Sequence, residues 1–115
     1  MSDAPILQPV HIVADYTGAD DFTKKHTPLI EVTGEGPARM VSVRVGKDVP
    51  HPNEAGHHIA WICLRANGNP IARFDLSPVA TDPGVGVWVT VDEGTELTAI
   101  EYCNLHGLFS YSTMV

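Results

Sequence analysis

The punctuation of this chain constrains its fold more than any other feature. Ten glycines and nine prolines are spread along 115 residues. They cut the chain into runs that are short for helices but long enough for strands. Within the runs the apolar residues alternate. In Ala38–Val45, Val41, Val43 and Val45 fall on one face and Met40, Ser42 and Arg44 on the other, the period-two pattern of a half-buried strand. Ile59–Leu64 and Ile71–Leu76 read as two further strands joined by the turn Asn67-Gly68-Asn69-Pro70. Val85–Val91 follows, and Asp92-Glu93-Gly94 then turns the chain into Leu97–Tyr102. Leu29–Val32 and a closing strand at Leu108–Met114 bring the count to seven. Residues 1–25 are expected to be the least regular part, with an edge strand at Ile6–Val13 and a polar loop at Asp15–Thr23.

Many short strands with regular turn signals predict an all-β architecture, an immunoglobulin-like, seven-stranded antiparallel sandwich or barrel. The length fits one domain spanning residues 1–115. No stretch is long and apolar enough to cross a bilayer. The start, MSDAPILQPV, has neither a basic nor an apolar leader region, which favours the cytoplasm. Cys63 and Cys103 are too few for a disulfide framework. A net charge of −7 argues against nucleic acid as a partner.

The chemistry gathers around Cys103-Asn104-Leu105-His106-Gly107, where a thiol and an imidazole lie close enough for one tight turn to aim both at one ion. Three other segments carry histidine: Lys24-Lys25-His26-Thr27-Pro28, His51-Pro52-Asn53 and Gly56-His57-His58-Ile59. Five of the six histidines fall in these four segments. His57 and His58 are adjacent, so on an extended chain they point to opposite faces and only one joins a shared metal. The loop containing Pro52 and Gly56 can curl to bring His51 and His57 together. With His26, His106 and Cys103 this gives a four-histidine, one-cysteine set. Such a set is unlike structural zinc and suited to a redox metal, with an octahedral position left open. His11 is read as a strand or surface residue without function, Cys63 as a small buried thiol, and Trp61 and Trp88 as core. The acidic pairs at Asp20 and Asp92 are read as solvated turns.

The order Lys-His-x-Pro, His-Pro-Asn-x3-His-His-Ile and Tyr-Cys-Asn-x-His-Gly-Leu, running from about Thr23 to Phe109, resembles the superoxide reductases. These comprise neelaredoxin and the iron-centre domain of desulfoferrodoxin. The resemblance implies one mononuclear non-haem iron with equatorial His26, His51, His57 and His106 and axial Cys103. It leaves His58 as a non-ligand and suggests the one-iron form. It also implies one-electron reduction of superoxide to hydrogen peroxide, a small electron donor such as rubredoxin, and a homo-oligomer, a tetramer in this family. Lys25 matches the family's catalytic lysine, and Lys24 and Lys47 would add to a positive mouth on an acidic protein. The chain departs from the pattern where the family has Glu-Lys-His, because Lys24 stands in the place of a glutamate that closes over the oxidised iron. Glu54 is a conceivable substitute, and Gly56 replaces an acidic residue usual before the second-loop histidine. Two other classes remain open from the residues alone. One is a cupredoxin-like electron carrier using His57, Cys103, His106 and Met114; the other is a non-catalytic iron or zinc module.

Overall fold

The structure, a computed structural model, describes residues 9–115. These residues form two sheets. The strands are β1 (Val10–Ile12), β2 (Pro28–Thr33), β3 (Ala38–Val45), β4 (Ile59–Ala66), β5 (Asn69–Asp75), β6 (Gly84–Thr90), β7 (Glu96–Cys103) and β8 (Gly107–Met114), with one short helix, α1 (Asp21–His26), between β1 and β2. One sheet has the order β1-β8-β7-β4-β5 and the other β2-β3-β6. The architecture is therefore the expected all-β sandwich, open rather than closed into a barrel.

The alternation read from the sequence fixes the core. Val41, Val43 and Val45 on β3, with Ile30 on β2, meet Ile59, Ile62, Leu64, Leu97, Ala99 and Cys103 from the larger sheet. All ten residues of this cluster are buried, which makes it the main apolar store of the fold.

Five expectations are corrected. The strands among the described residues number eight, because the N-terminal edge strand survives as β1. It pairs in parallel with β8, Val10 opposite Leu108, so the large sheet is mixed; no hairpin dictates the direction of a strand that joins from so far away in sequence. Residues 6–8 of the expected edge strand lie outside the described residues. The end of the expected loop Asp15–Thr23 is the start of α1, whose single turn and a half is too short to display helical periodicity. Trp88 is 67% exposed: Val85, Val87 and Val89 take the inward face of β6, which sends Trp88 outward. Trp61 is also not core. It lies half-buried on the outer face of β4, stacked on Tyr102 with Arg73 over its ring. Cys63, two residues further along the same face, is likewise half-buried rather than buried. Burial still pushes its thiol pKa up.

Local backbone devices shape both ends of β4, the first of them at the end away from Cys103. Asn67 and Gly68 both have positive φ, 48° and 83°, so the β4–β5 hairpin closes in two residues. Asn69 and Pro70 already belong to β5, at the sheet edge where a missing N–H is tolerated. Opposite, the β4–β7 register shifts between Ile59 and Trp61. This bulge lets Ile59 and Ile62 both face inward although they are three apart, and it lies beside Cys103.

Candidate metal centre

Each candidate ligand is delivered by its own local structure. α1 begins at Asp20, whose carboxylate accepts the backbone N–H of Thr23 at 2.8 Å. It ends at Thr27, since the residue before Pro28 is driven into extended geometry. His26 thus occupies the last helical position, fully buried. Its Nδ1 is 2.7 Å from the carbonyl of Phe22, which makes Nδ1 the protonated nitrogen and leaves Nε2 free to ligate.

His51 is placed by a glycine. Gly46 has φ +78°, and a Cβ there would stand 2.6 Å from the backbone nitrogen of His51, so only glycine lets the two strands of this loop approach. The Nδ1 of His51 lies 2.6 Å from the carbonyl of Pro52, again turning Nε2 inward. Glu54 and His57 exchange backbone hydrogen bonds, 2.9 and 3.1 Å, closing a four-residue turn through Ala55 and Gly56. His58 faces away from the cluster, its Nδ1 3.1 Å from the Glu54 carbonyl, in line with the opposite-face expectation.

Cys103 and Gly107 pair across a three-residue hairpin loop, with Gly107 at φ +89°. The loop folds the backbone N–H groups of Leu105 and His106 onto the Cys103 sulfur. Burial raises the Cys103 pKa, and these two donors pull it back by favouring the thiolate. Asn104 ties the hairpin to the histidine loop: its Oδ1 accepts the His58 N–H at 2.8 Å and its Nδ2 donates to the Gly56 carbonyl at 2.9 Å.

The four histidines form a circle. Ring centroids are 4.8 Å apart for His26–His51, 4.8 Å for His51–His57, 5.3 Å for His57–His106 and 5.1 Å for His106–His26. Every neighbouring pair is steeply inclined, 70° to 86°. One ligating atom each from His26, His51, His57 and Cys103 lies within 4.8 Å of all the others. His106 completes the circle from the exposed hairpin tip, and its donors fall outside that tighter group. The Nε2 atoms of His26, His51 and His57 are buried with no hydrogen-bond partner. Three orphaned acceptors aimed at one spot beside a thiol are what a metal ion would satisfy, so the residues fit one. Burial is the first cause that keeps these imidazoles neutral: His51 is pushed down to about 4, and His26 and His57 are lowered.

The lysines separate. The charge of Lys25 lowers the pKa of His26, His51 and His57 after burial has done so, which places its field at the centre. The Lys24 ammonium lies over the Tyr16 ring, 5.6 Å from its centroid, and Lys47 pairs with Glu31. Glu54 acts on His57 in the opposite sense to Lys25. Met114 lies at the far end of β8, opposite Glu96. Seven residues of strand, on the order of 23 Å, separate it from the hairpin, which removes the blue-copper arrangement. Sequence reasoning missed Gly46 and Glu101, and it named Asn53 only within the His51-Pro52-Asn53 segment, without a role of its own. Glu101 is fully buried on the Cys103 face of β7, and burial pushes its carboxyl pKa well above the usual range.

Comparison with known proteins agrees with this geometry. The desulfoferrodoxin family model matches residues 18–112. The putative superoxide reductase of Archaeoglobus fulgidus is 38% identical, over 79% of this chain and 88% of that protein. The superoxide reductase of Pyrococcus horikoshii is 38% identical, over 75% of this chain and 83% of that protein. Among solved structures, the superoxide reductase from Nanoarchaeum equitans superimposes with a TM-score of 0.77 at 30% identity, covering 93% of this chain and all of that one. On sequence, on fold and on the ordering of its histidine and cysteine segments, the chain belongs to the desulfoferrodoxin family of superoxide reductases.

Proposed function

We propose that this protein is a superoxide reductase that converts superoxide to hydrogen peroxide at one mononuclear iron held by His26, His51, His57, His106 and Cys103. The observation that carries the reading is the circle of imidazoles beside a buried thiol, with three Nε2 atoms lacking any other partner. Bound iron would supply a one-electron ferrous–ferric couple, and superoxide with one electron and two protons gives hydrogen peroxide. The chain's own residues do the rest. The carbonyls of Phe22 and Pro52 fix the tautomers of His26 and His51. The Leu105 and His106 amides stabilise the thiolate of Cys103. Lys25 draws the anion toward a site on an otherwise acidic surface. Lys24, parked over Tyr16, contributes only at longer range, and no carboxylate occupies its position to cap the iron.

A small one-electron donor of rubredoxin type fits the need for one electron per turnover, and a homo-oligomer fits the family. Among the described residues no helix is long and apolar enough to cross a membrane, and both thiols are free. We infer a reducing compartment, the cytoplasm.

The test is metal analysis with an optical spectrum. The reconstituted chain should hold about one iron and, when oxidised, show a visible sulfur-to-iron band that Cys103→Ser abolishes. It should consume superoxide and yield peroxide with reductant oxidised in step. A band that survives Cys103→Ser, or oxygen release without reductant consumption, would sink the assignment.

A further inference from the structure

The loop that carries His51 and His57 is tied at both ends. Asn104 holds it at Gly56 and His58, as described above. The other tie runs from Asn53 across the structure to the turn Ser77–Thr81. Asn53 Oδ1 accepts the Val79 N–H at 2.8 Å, and Asn53 Nδ2 donates to the carbonyls of Thr81 at 3.2 Å and Val79 at 3.5 Å. The turn is closed on itself: Thr81 Oγ1 donates to the Ser77 carbonyl at 2.8 Å and accepts the Ser77 N–H at 2.9 Å.

Val79 has φ +70°. That is the left-handed region, which a β-branched residue enters only when its surroundings force it. Nothing in the packing of its own side chain explains the conformation, since Val79 is 67% exposed. Two things hold it there: the Ala80 N–H donates to the Pro78 carbonyl at 2.8 Å across residue 79, and with φ positive both the N–H and the C=O of residue 79 face the Asn53 amide. Strain of this kind persists where the rest of the structure over-determines it, and it collects at functional sites.

We propose that Asn53 is a positioning residue, and that Asn53 with the strained Val79 forms a latch that presets the His51–His57 loop for the metal. The inference rests on the reading that His51 and His57 are ligands. The latch fixes the start of the loop, Asn104 fixes its end, and the imidazoles are thereby held in place before an ion arrives. The strain at Val79 opposes the latch, so the loop is held less firmly than an unstrained turn would hold it.

The experiment uses the full chain loaded with cobalt(II), in the parent, Asn53→Ala, Val79→Gly and the double variant. It reads the thermal midpoint and the rate of cobalt loss to excess chelator. Glycine adopts φ +70° freely, so Val79→Gly should raise the midpoint by roughly 4 °C and slow cobalt loss. Asn53→Ala should speed cobalt loss about tenfold, the usual effect of removing a support of a metal ligand. In the Asn53→Ala background only the turn's own bonds, Ala80 N–H to the Pro78 carbonyl at 2.8 Å and Thr81 N–H to the Ser77 carbonyl at 3.1 Å, hold residue 79 in the strained region. There Val79→Gly should raise the midpoint by less than it does in the parent, because part of what enforces the strain has gone. A residue that merely stabilised the fold would change the midpoint without changing cobalt loss. Val79→Gly shifting the midpoint equally in both backgrounds, or Asn53→Ala leaving cobalt loss unchanged, overturns the latch. If Asn53→Ala does not fold, the Val79→Gly single variant still decides whether strain is present. His57→Ala serves as the control for the ligand assignment: unaltered cobalt binding there would refute the ligand set while leaving the thermal cycle at Val79 to be read by itself.

Discussion

Lys25→Ala should slow the reaction of the ferrous protein with superoxide, and the size of the effect can be worked from the circle of histidines. Successive ring centroids are 4.8–5.3 Å apart, so the centre of the circle lies about 3.5 Å from each ring, half the diagonal of a square of about 5 Å side. The Lys25 charge lowers the pKa of three of the four rings, and its ammonium is taken to be on the order of 7 Å from the centre. At an effective dielectric of about 40, between surface and bulk water, that separation gives roughly 1.2 kcal/mol for a unit anion, or about eightfold in rate at low salt. At physiological ionic strength the Debye length is about 8 Å, which leaves roughly 0.5 kcal/mol, a little over twofold. Lys24→Ala should change the rate by less than about half as much in logarithmic terms, because its ammonium is drawn to Tyr16. The assay is rapid mixing of ferrous protein with superoxide across a salt series, with metal content measured alongside. A Lys25→Ala deficit that does not shrink with salt would show that the lysine acts by something other than its charge. An equal deficit in Lys24→Ala would show that the local field assigned to Lys25 is not local.

Two further outcomes are expected. His57→Ala should lose most of its metal while His58→Ala keeps it, measured by metal analysis after gel filtration; the reverse result would mean that this segment is one residue out of register, which exchanges the two faces. Glu101→Leu should stabilise the fold by about 2 kcal/mol, or roughly 8 °C in thermal midpoint, because both Glu101 oxygens are buried without a hydrogen-bond partner. A loss of stability in urea denaturation would show instead that the carboxyl has a partner, such as an ordered water.

How much of this was legible in the sequence depended on how far away the deciding interaction lies. Ala38–Val45 has the bounds read from its alternation, since three valines on one face need no partner to be recognised. The gathering of His26, His51, His57 and Cys103 was legible for a similar reason: each candidate ligand carries its chemistry in its own identity, and short loops bring each to an element end. Cases decided elsewhere were not. Trp88 looked like core because of its residue type, whereas the phase of Val85, Val87 and Val89 sends it outward. The bulge beside Ile59 is a property of the pair β4–β7 and leaves no mark on β4 alone. α1 carried one readable signal, the Asp20 cap three residues before Thr23, but too few residues to show a period. Asn53 and Gly46 are ordinary loop residues by composition; their roles appear only when Val79 and His51 come against them.

The distribution of the ligands gives the site a second consequence. His26 leads directly into β2 and His51 follows β3, both in the three-stranded sheet, where Pro28 pairs with Val45. His57 leads into β4, and Cys103 and His106 lie between β7 and β8, all in the five-stranded sheet, where Ile59 pairs with Cys103. An ion held by this set therefore bridges the two layers at one end of the sandwich and closes chain loops of very different lengths. Closing long loops restricts the unfolded chain more than it restricts the folded one, so binding energy adds to folding energy. The buried imidazole nitrogens that stand without partners work in the same direction, because their desolvation is uncompensated until an ion is bound. The geometry that prepares this protein for superoxide is thus also a cross-link between its sheets, and its stability should rise with metal concentration by mass action.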